Sequence, residues 1–291
     1  MWIRLFVVSL AIILTALLVP TVQATADPVL VGAGDISSCS TAGDTATAKL
    51  VAAIPGTVFT AGDNAYESGT LSQFQNCYGP TWGAFKSRTR PSAGNHEYLT
   101  AGASGYFTYF GTRGGPVDKG YYAYNLGTWR IYALNSNCAA VGACGATSAQ
   151  VKWLKADLAA NPRRCVLAYW HHPLFSSGTH GNYTSVRAFW DALYAAHADV
   201  VINGHDHDYE RFARQTPTGA ASTNGIREFV VGTGGKELRP FGTIKPRSLV
   251  RNASTFGVLK LTLHATSYDW RFVPQAGKAF TDSATGAACR A

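Results

Sequence analysis

Ala198-Asp199-Val200-Val201-Ile202-Asn203-Gly204-His205-Asp206-His207 holds the unit from which the rest of the chain is read. The β-branched run at 200–202 reads as a buried strand, Gly204 as a turn, and the polar residues follow at once. His205 and His207 stand two apart, so in an extended segment both imidazoles face the same side. Working outward, the unit recurs. Pro28-Val29-Leu30-Val31-Gly32-Ala33 runs into Gly34-Asp35, and Thr57-Val58-Phe59-Thr60-Ala61 into Gly62-Asp63-Asn64. Arg90-Pro91-Ser92-Ala93 leads to Gly94-Asn95-His96-Glu97, and Arg164 to Trp170 ends at His171-His172-Pro173. Between these strands lie helical segments at 43–53, 148–160 and 184–197. In the second, Val151, Leu154 and Leu158 share a face and Ser148 is placed as N-cap. Stretches 121–125 and 129–134 and the tail from 228 to 273 read as further strands.

Short apolar strands alternating with helices predict an α/β core. In such folds ligands gather at the carboxyl ends of the strands, and five strand ends here carry polar side chains suited to metals. No internal repeat or linker divides the chain, so one domain over residues 27–291 is expected.

The beginning of the chain reads differently. Arg4 precedes an apolar run from Leu5 to Val19, followed by Val22-Gln23-Ala24 and Ala24-Thr25-Ala26. Charge, apolar run and small residues in that order predict a secretory signal peptide over residues 1–26, cleaved after Ala24 or Ala26. The run is short for a membrane span, which needs about 20 apolar residues. A secreted, extracellular protein with no membrane attachment after cleavage is therefore expected. The six cysteines are even in number, which behind a signal peptide favours disulfides. Six cysteines allow 15 connectivities, and the count does not choose among them; Cys138 and Cys144, which enclose a Gly/Ala loop, are the favoured pair, and Cys39 with Cys77 and Cys165 with Cys289 would complete that set. No pair has the Cys-x-x-Cys spacing favoured by zinc sites. The net charge of +8 is scattered, with no cluster longer than Arg163-Arg164, so no nucleic-acid partner is inferred.

The candidate site residues are Asp35, Asp63, Tyr66, Asn95, His96, His171, His180, His205 and His207. Taken singly each has an ordinary reading: an aspartate caps a helix or a turn, and an asparagine after glycine is a turn residue. Together, at successive strand ends, they form a metal-ligand set. Carboxylates and imidazoles suit zinc, manganese and iron. Asp63 and Tyr66 stand three apart on one turn, and a phenolate ligand points to ferric iron at one position.

Five blocks in order, Gly34-Asp35, Gly62-Asp63-Asn64-Ala65-Tyr66, Gly94-Asn95-His96-Glu97, His171 with Pro173, and Gly204-His205-Asp206-His207, resemble the purple acid phosphatases among the calcineurin-like metallophosphoesterases. The resemblance continues through Tyr209-Glu210-Arg211 and covers roughly residues 28–275. It implies a four-layer αββα sandwich, with two mixed β-sheets flanked by helices. It also implies a dinuclear centre in which Asp35, Tyr66 and His207 hold Fe(III). Asn95, His171 and His205 would hold a divalent zinc, iron or manganese ion, and Asp63 would bridge the two. His96 falls where the family has a histidine that contacts the phosphate or leaving group. His180 falls one residue short of the usual place of a second such histidine, and His172 is its rival. Ser37 stands where the family often has glycine, which implies a local change of loop shape. Plant members carry an additional N-terminal β-sandwich for which this chain has no room, so the resemblance is to the catalytic domain.

The implied function is hydrolysis of a small phosphomonoester by a hydroxide held between two metals. A phosphodiesterase and a nucleotide or pyrophosphate hydrolase remain alternatives with the same centre. A non-catalytic phosphate- or metal-binding protein is a third reading, which the leaving-group histidines argue against.

Overall fold

The computed structural model describes residues 1–3 and 26–290. The apolar run of the expected leader, and Ala24, lie outside the described residues. Among those residues, no helix is long and apolar enough to cross a membrane.

Two mixed sheets form the centre. The first contains β1 (Val29–Ala33), β2 (Thr57–Ala61), β3 (Thr89–Ser92), β11 (Gly257–Leu263), β12 (Ser267–Pro274) and β13 (Ser283–Ala288), in the order β13-β12-β11-β1-β2-β3. The second contains β4 (Tyr122–Leu126), β5 (Trp129–Ala133), β6 (Val166–Tyr169), β7 (Val200–Asn203), β8 (Tyr209–Phe212), β9 (Arg227–Val231) and β10 (Ser248–Asn252), in the order β10-β8-β9-β7-β6-β5-β4. Strands β1, β2 and β3 run parallel, as do β5, β6, β7 and β9.

The sheets face one another because alternate residues of each strand are apolar on the inner side. Along β6, Leu167 and Tyr169 join the core between the sheets, with Phe59, Ile202, Phe229 and Leu259. Val166 and Ala168 point the other way. They meet α4 (Ala149–Ala160) and α5 (Arg187–Ala195) in a second core built on Leu154, Phe189 and Trp190. On the outside of the first sheet, α1 (Gly43–Ala53) seats Ala48 and Val51, and the short helices α2 (Leu71–Gln73) and α3 (Ser104–Phe110) follow in the chain before β4. Each such buried aliphatic or aromatic side chain stabilises the fold by about 1.5–3 kcal/mol. The result is helix, sheet, sheet, helix, the four layers expected from the resemblance. Ser148 caps α4, accepting from the Val151 N–H, as its position predicts.

Three disulfides join Cys39 to Cys77, Cys138 to Cys144 and Cys165 to Cys289. Each matches the expected pair.

Candidate metal centre

The five strand ends meet. Parallel strands β1, β2 and β3 deliver Asp35, Asp63 and Asn95 from one sheet; β6 and β7 deliver His171 and His205 from the other. The centre therefore sits across the carboxyl edge of both sheets. The turns that carry it are tight. Asp35, Asp63 and His205 have φ of 58°, 48° and 72°, left-handed conformations that non-glycine residues adopt at a cost of order 1–3 kcal/mol. Two neighbouring glycines are required by close approach. A Cβ on Gly94 would stand 2.1 Å from Asp63 Oδ1, and one on Gly204 would stand 2.5 Å from Asp35 Oδ2.

Seven side chains fall into two groups that share one atom. In the first, the Tyr66 hydroxyl donates to Asp35 Oδ1 at 2.8 Å and to Asp63 Oδ2 at 3.0 Å. It lies 3.2 Å from His207 Nε2, which is itself 3.3 Å from Asp35 Oδ1. In the second, His171 Nε2 lies 2.9 Å from Asn95 Oδ1, 3.1 Å from His205 Nδ1 and 3.2 Å from Asp63 Oδ2. Asp63 Oδ2 thus belongs to both.

The donor chemistry fits metal ions. Donor atoms of Asp35, Asp63 and His171 lie within 4.8 Å of one another, and so do those of His171, His172 and His205. Backbone carbonyls fix the imidazole tautomers, since a carbonyl only accepts. His171 Nδ1 donates to Ala61 O at 2.9 Å and His207 Nδ1 to Glu237 O at 2.8 Å, so each presents Nε2 inward. A third group of cysteines and Asp199 has the spacing of a metal site, but its cysteines are the disulfide pair Cys165–Cys289.

Burial and charge set the proton affinities. Burial alone would lower His171, but the Asp63 carboxylate overrides it and raises its pKa to about 9. Burial would raise Asp63, and His171 instead holds it well below the usual carboxylate range. Burial pushes the Tyr66 hydroxyl well above 10, and Asp35 and Asp63 push it further. Burial, with the neighbouring His171 and His172, lowers His205 strongly. His207 rises despite burial because it bonds to Asp35.

The remaining sequence candidates also lie here. His96 donates from Nδ1 to Glu67 O at 2.6 Å, which leaves Nε2 3.9 Å from Asp63 Oδ2. His180 places its ring 4.4 Å from that of His205. His172 does not point away from the centre. Its ring is 4.4 Å from that of His205 and stacks on Tyr183, while Nδ1 meets the Ser136 hydroxyl at 2.8 Å. An extended backbone sends adjacent side chains to opposite sides, but the polar turn after β6 is not an extended strand.

Three supporting residues were not singled out from the sequence. Fully buried Glu97 accepts from the backbone N–H groups of Asp63, Asn64, Ala65 and Gly94 at 2.7–3.2 Å, clamping the two loops that carry Asp63 and Asn95. Burial and the nearby Asp63 charge raise its pKa to about 7. Asp206 accepts from the His180 N–H at 2.7 Å and from the Ser176 hydroxyl, and so anchors the His180 loop. Arg239 reaches His180 Nε2 at 2.9 Å from the loop after β9.

The family model of the calcineurin-like phosphoesterases matches residues 22–209. The chain belongs to that family. Among known proteins, purple acid phosphatase 15 of Arabidopsis thaliana is 31% identical over 135 residues, spanning 42% of this chain and 24% of that protein. The chain thus spans about a quarter of the length of that relative. The purple acid phosphatase PPD1 of yellow lupin shares the fold, with a TM-score of 0.72 and 18% identity over 90% of this chain and 54% of that one. GAP50 of Plasmodium, an anchor in the inner membrane complex, shares it too, with a TM-score of 0.70 and 13% identity over 92% of this chain and 90% of that one. Membership of the calcineurin-like phosphoesterases carries with it a dinuclear metal centre.

Proposed function

We propose that the chain is an extracellular phosphatase that hydrolyses phosphomonoesters at this centre. Asp35, Tyr66 and His207 would hold a ferric ion, and Asn95, His171 and His205 a divalent zinc, iron or manganese ion, with Asp63 between them. The observation that carries the reading is the division of seven donors into two groups with Asp63 Oδ2 common to both. Similarity to purple acid phosphatases supports it, and the three disulfides and the expected leader support an oxidising compartment.

When bound, the two ions would supply positive charge for a phosphate and the acidity that makes water a nucleophile. The chain's own groups do the rest. His96, with its Nδ1 proton committed to Glu67 O, presents Nε2 as the atom that would carry a second proton and deliver it to the leaving oxygen. Burial lowers the His180 pKa, so near neutrality its ring is uncharged. The guanidinium of Arg239 beside it adds a fixed cation at the mouth of the site. A fixed cation favours the more highly charged monoester over a singly charged diester. Glu97 and Asp206 hold the loops at the geometry the donors need.

The test is elemental analysis of the purified secreted chain beside turnover of p-nitrophenyl phosphate and its bis-ester. The expected result is two metals per chain, one of them iron, with faster monoester turnover. A protein that gains no activity on metal addition overturns the reading. Turnover of the bis-ester alone overturns its substrate preference. Asp63→Ala is expected to lose both metals and nearly all activity; retention of both would contradict its shared position.

A further inference from the structure

The amino ends of β6 and β7 point away from the metal centre, and there the chain forms a second, separate cavity. Its volume is about 700 Å³, within the range of small-molecule pockets. Leu158 of α4, Val166 at the start of β6 and Ala192 and Ala195 of α5 form its apolar wall. The carboxyl ends of the same strands carry His171 and His205, so roughly 13 Å of strand separates the two sites.

Positive side chains outnumber negative ones among the lining residues, although the buried Asp199 carboxylate, which accepts from the Arg290 backbone N–H at 2.5 Å, lies beside Arg290. Lys155, Arg163, Arg164 and Arg290 line the cavity. Asp191 is the carboxylate among the lining residues, and it is engaged by Arg187 at 3.0 Å. Arg290 is 5% exposed and gives two of its donors to the last turn of α5 and the segment after it, to Tyr194 O at 3.4 Å and Ala198 O at 2.8 Å. Its Nε–H is buried and has no partner among the described residues.

We propose that this cavity binds a small amphiphilic organic anion, with a carboxylate, sulfate or phosphate head on the arginines and an apolar tail along α4 and α5. Guanidinium groups match the planar or tetrahedral oxygens of such heads, and the alanine-rich wall leaves room for a tail. An uncharged amphiphile would gain nothing from the exposed Lys155, Arg163 and Arg164. A bare inorganic anion would leave the apolar wall wet.

Calorimetric titration of the full chain with n-octyl sulfate tests this, with n-octyl glucoside and inorganic sulfate as the tail-only and head-only probes. Saturable one-to-one binding of octyl sulfate, at least tenfold tighter than either control, is expected. Arg163→Glu with Arg164→Glu, both exposed, should weaken it tenfold or more. Ala195→Trp, on the exposed part of the α5 face, should fill the cavity and abolish binding. Metal content and phosphomonoester turnover should stay unchanged in both variants. Octyl sulfate that binds no better than octyl glucoside overturns the head-group assignment. Binding that survives Ala195→Trp in a folded protein overturns the site.

Discussion

At the scale of single residues, Tyr66 decides the most. Burial and two carboxylates hold its hydroxyl proton tightly, and in the metal-free protein that proton bonds to both Asp35 and Asp63. A metal replaces it only by expelling it, so binding couples to proton release. His171, with a pKa of about 9, must also give up a proton near neutrality. Loading the stripped protein with Fe(III) and Zn(II) is therefore expected to release about one proton fewer in Tyr66→Phe than in the parent. Titration in weakly buffered solution reads this directly. The variant should also lack any visible charge-transfer band while keeping some activity. Equal release in the two proteins would remove Tyr66 from the ligand set. Such ligands were legible in the sequence because each follows a turn at a strand end. Glu97 was not, although its block was recognised, because its role lies in backbone N–H groups up to 34 positions away. Arg239 was not, because it stands eight residues beyond the end of β9, past the turn where such ligands are sought.

At the scale of elements, the turn after β2 and the turn after β6 are joined by the Asp63–His171 pair, which crosses from one sheet to the other. The folded-state pKa of His171, about 9, lies above the 6.5 of an unperturbed imidazole. Its contribution is thus fully present below pH 6.5 and is lost as pH rises through 9. His207 and His264 are raised as well and act in the same direction. The buried histidines His172 and His205 are lowered, and their opposite effect is complete by about pH 6.5. Metal-stripped protein should therefore lose stability between pH 6.5 and 9, with His171 contributing on the order of 3 kcal/mol. Chemical denaturation at a series of pH values measures the slope. Asp63→Asn keeps the shape, and asparagine tolerates the left-handed backbone, but it should flatten the slope. An unchanged slope would mean that the pair does not set the His171 pKa. The inner strands were readable as short apolar runs ending at a glycine turn or a histidine, and α4 by its Val151, Leu154 and Leu158 face and its Ser148 cap. Edge strand β13, Ser-Ala-Thr-Gly-Ala-Ala, lacks the β-branched run that marks a strand and forms through backbone pairing with β12. Strand β8, Tyr-Glu-Arg-Phe, lay hidden inside a motif read for its chemistry, and α3 (Ser104–Phe110) inside an aromatic stretch without a helical start signal.

At the scale of the whole molecule, the four layers were implied by resemblance and the presence of disulfides by an even cysteine count behind the expected leader, but what the disulfides hold is visible only in the fold. Cys165–Cys289 spans 124 positions and pins the end of the chain beside the start of β6. Cys39–Cys77 spans 38 and Cys138–Cys144 only 6. If the bridges act by limiting the unfolded chain, their contributions follow the logarithm of loop length, at about 5, 4 and 2 kcal/mol in that order. Paired Cys→Ser replacements, compared by denaturant midpoint at constant slope, should rank the same way. The largest loss also has a local consequence. Arg290 follows Cys289 directly and from there reaches the last turn of α5 and the segment after it, donating to Tyr194 O and Ala198 O. Releasing the bridge should therefore loosen the wall of the remote cavity before it disturbs the metal centre, which is built from the opposite strand ends. In Cys165→Ser with Cys289→Ser, octyl sulfate binding should weaken while metal stoichiometry holds. A variant that loses its metals while keeping the anion would show that the end of the chain supports the centre instead of the cavity.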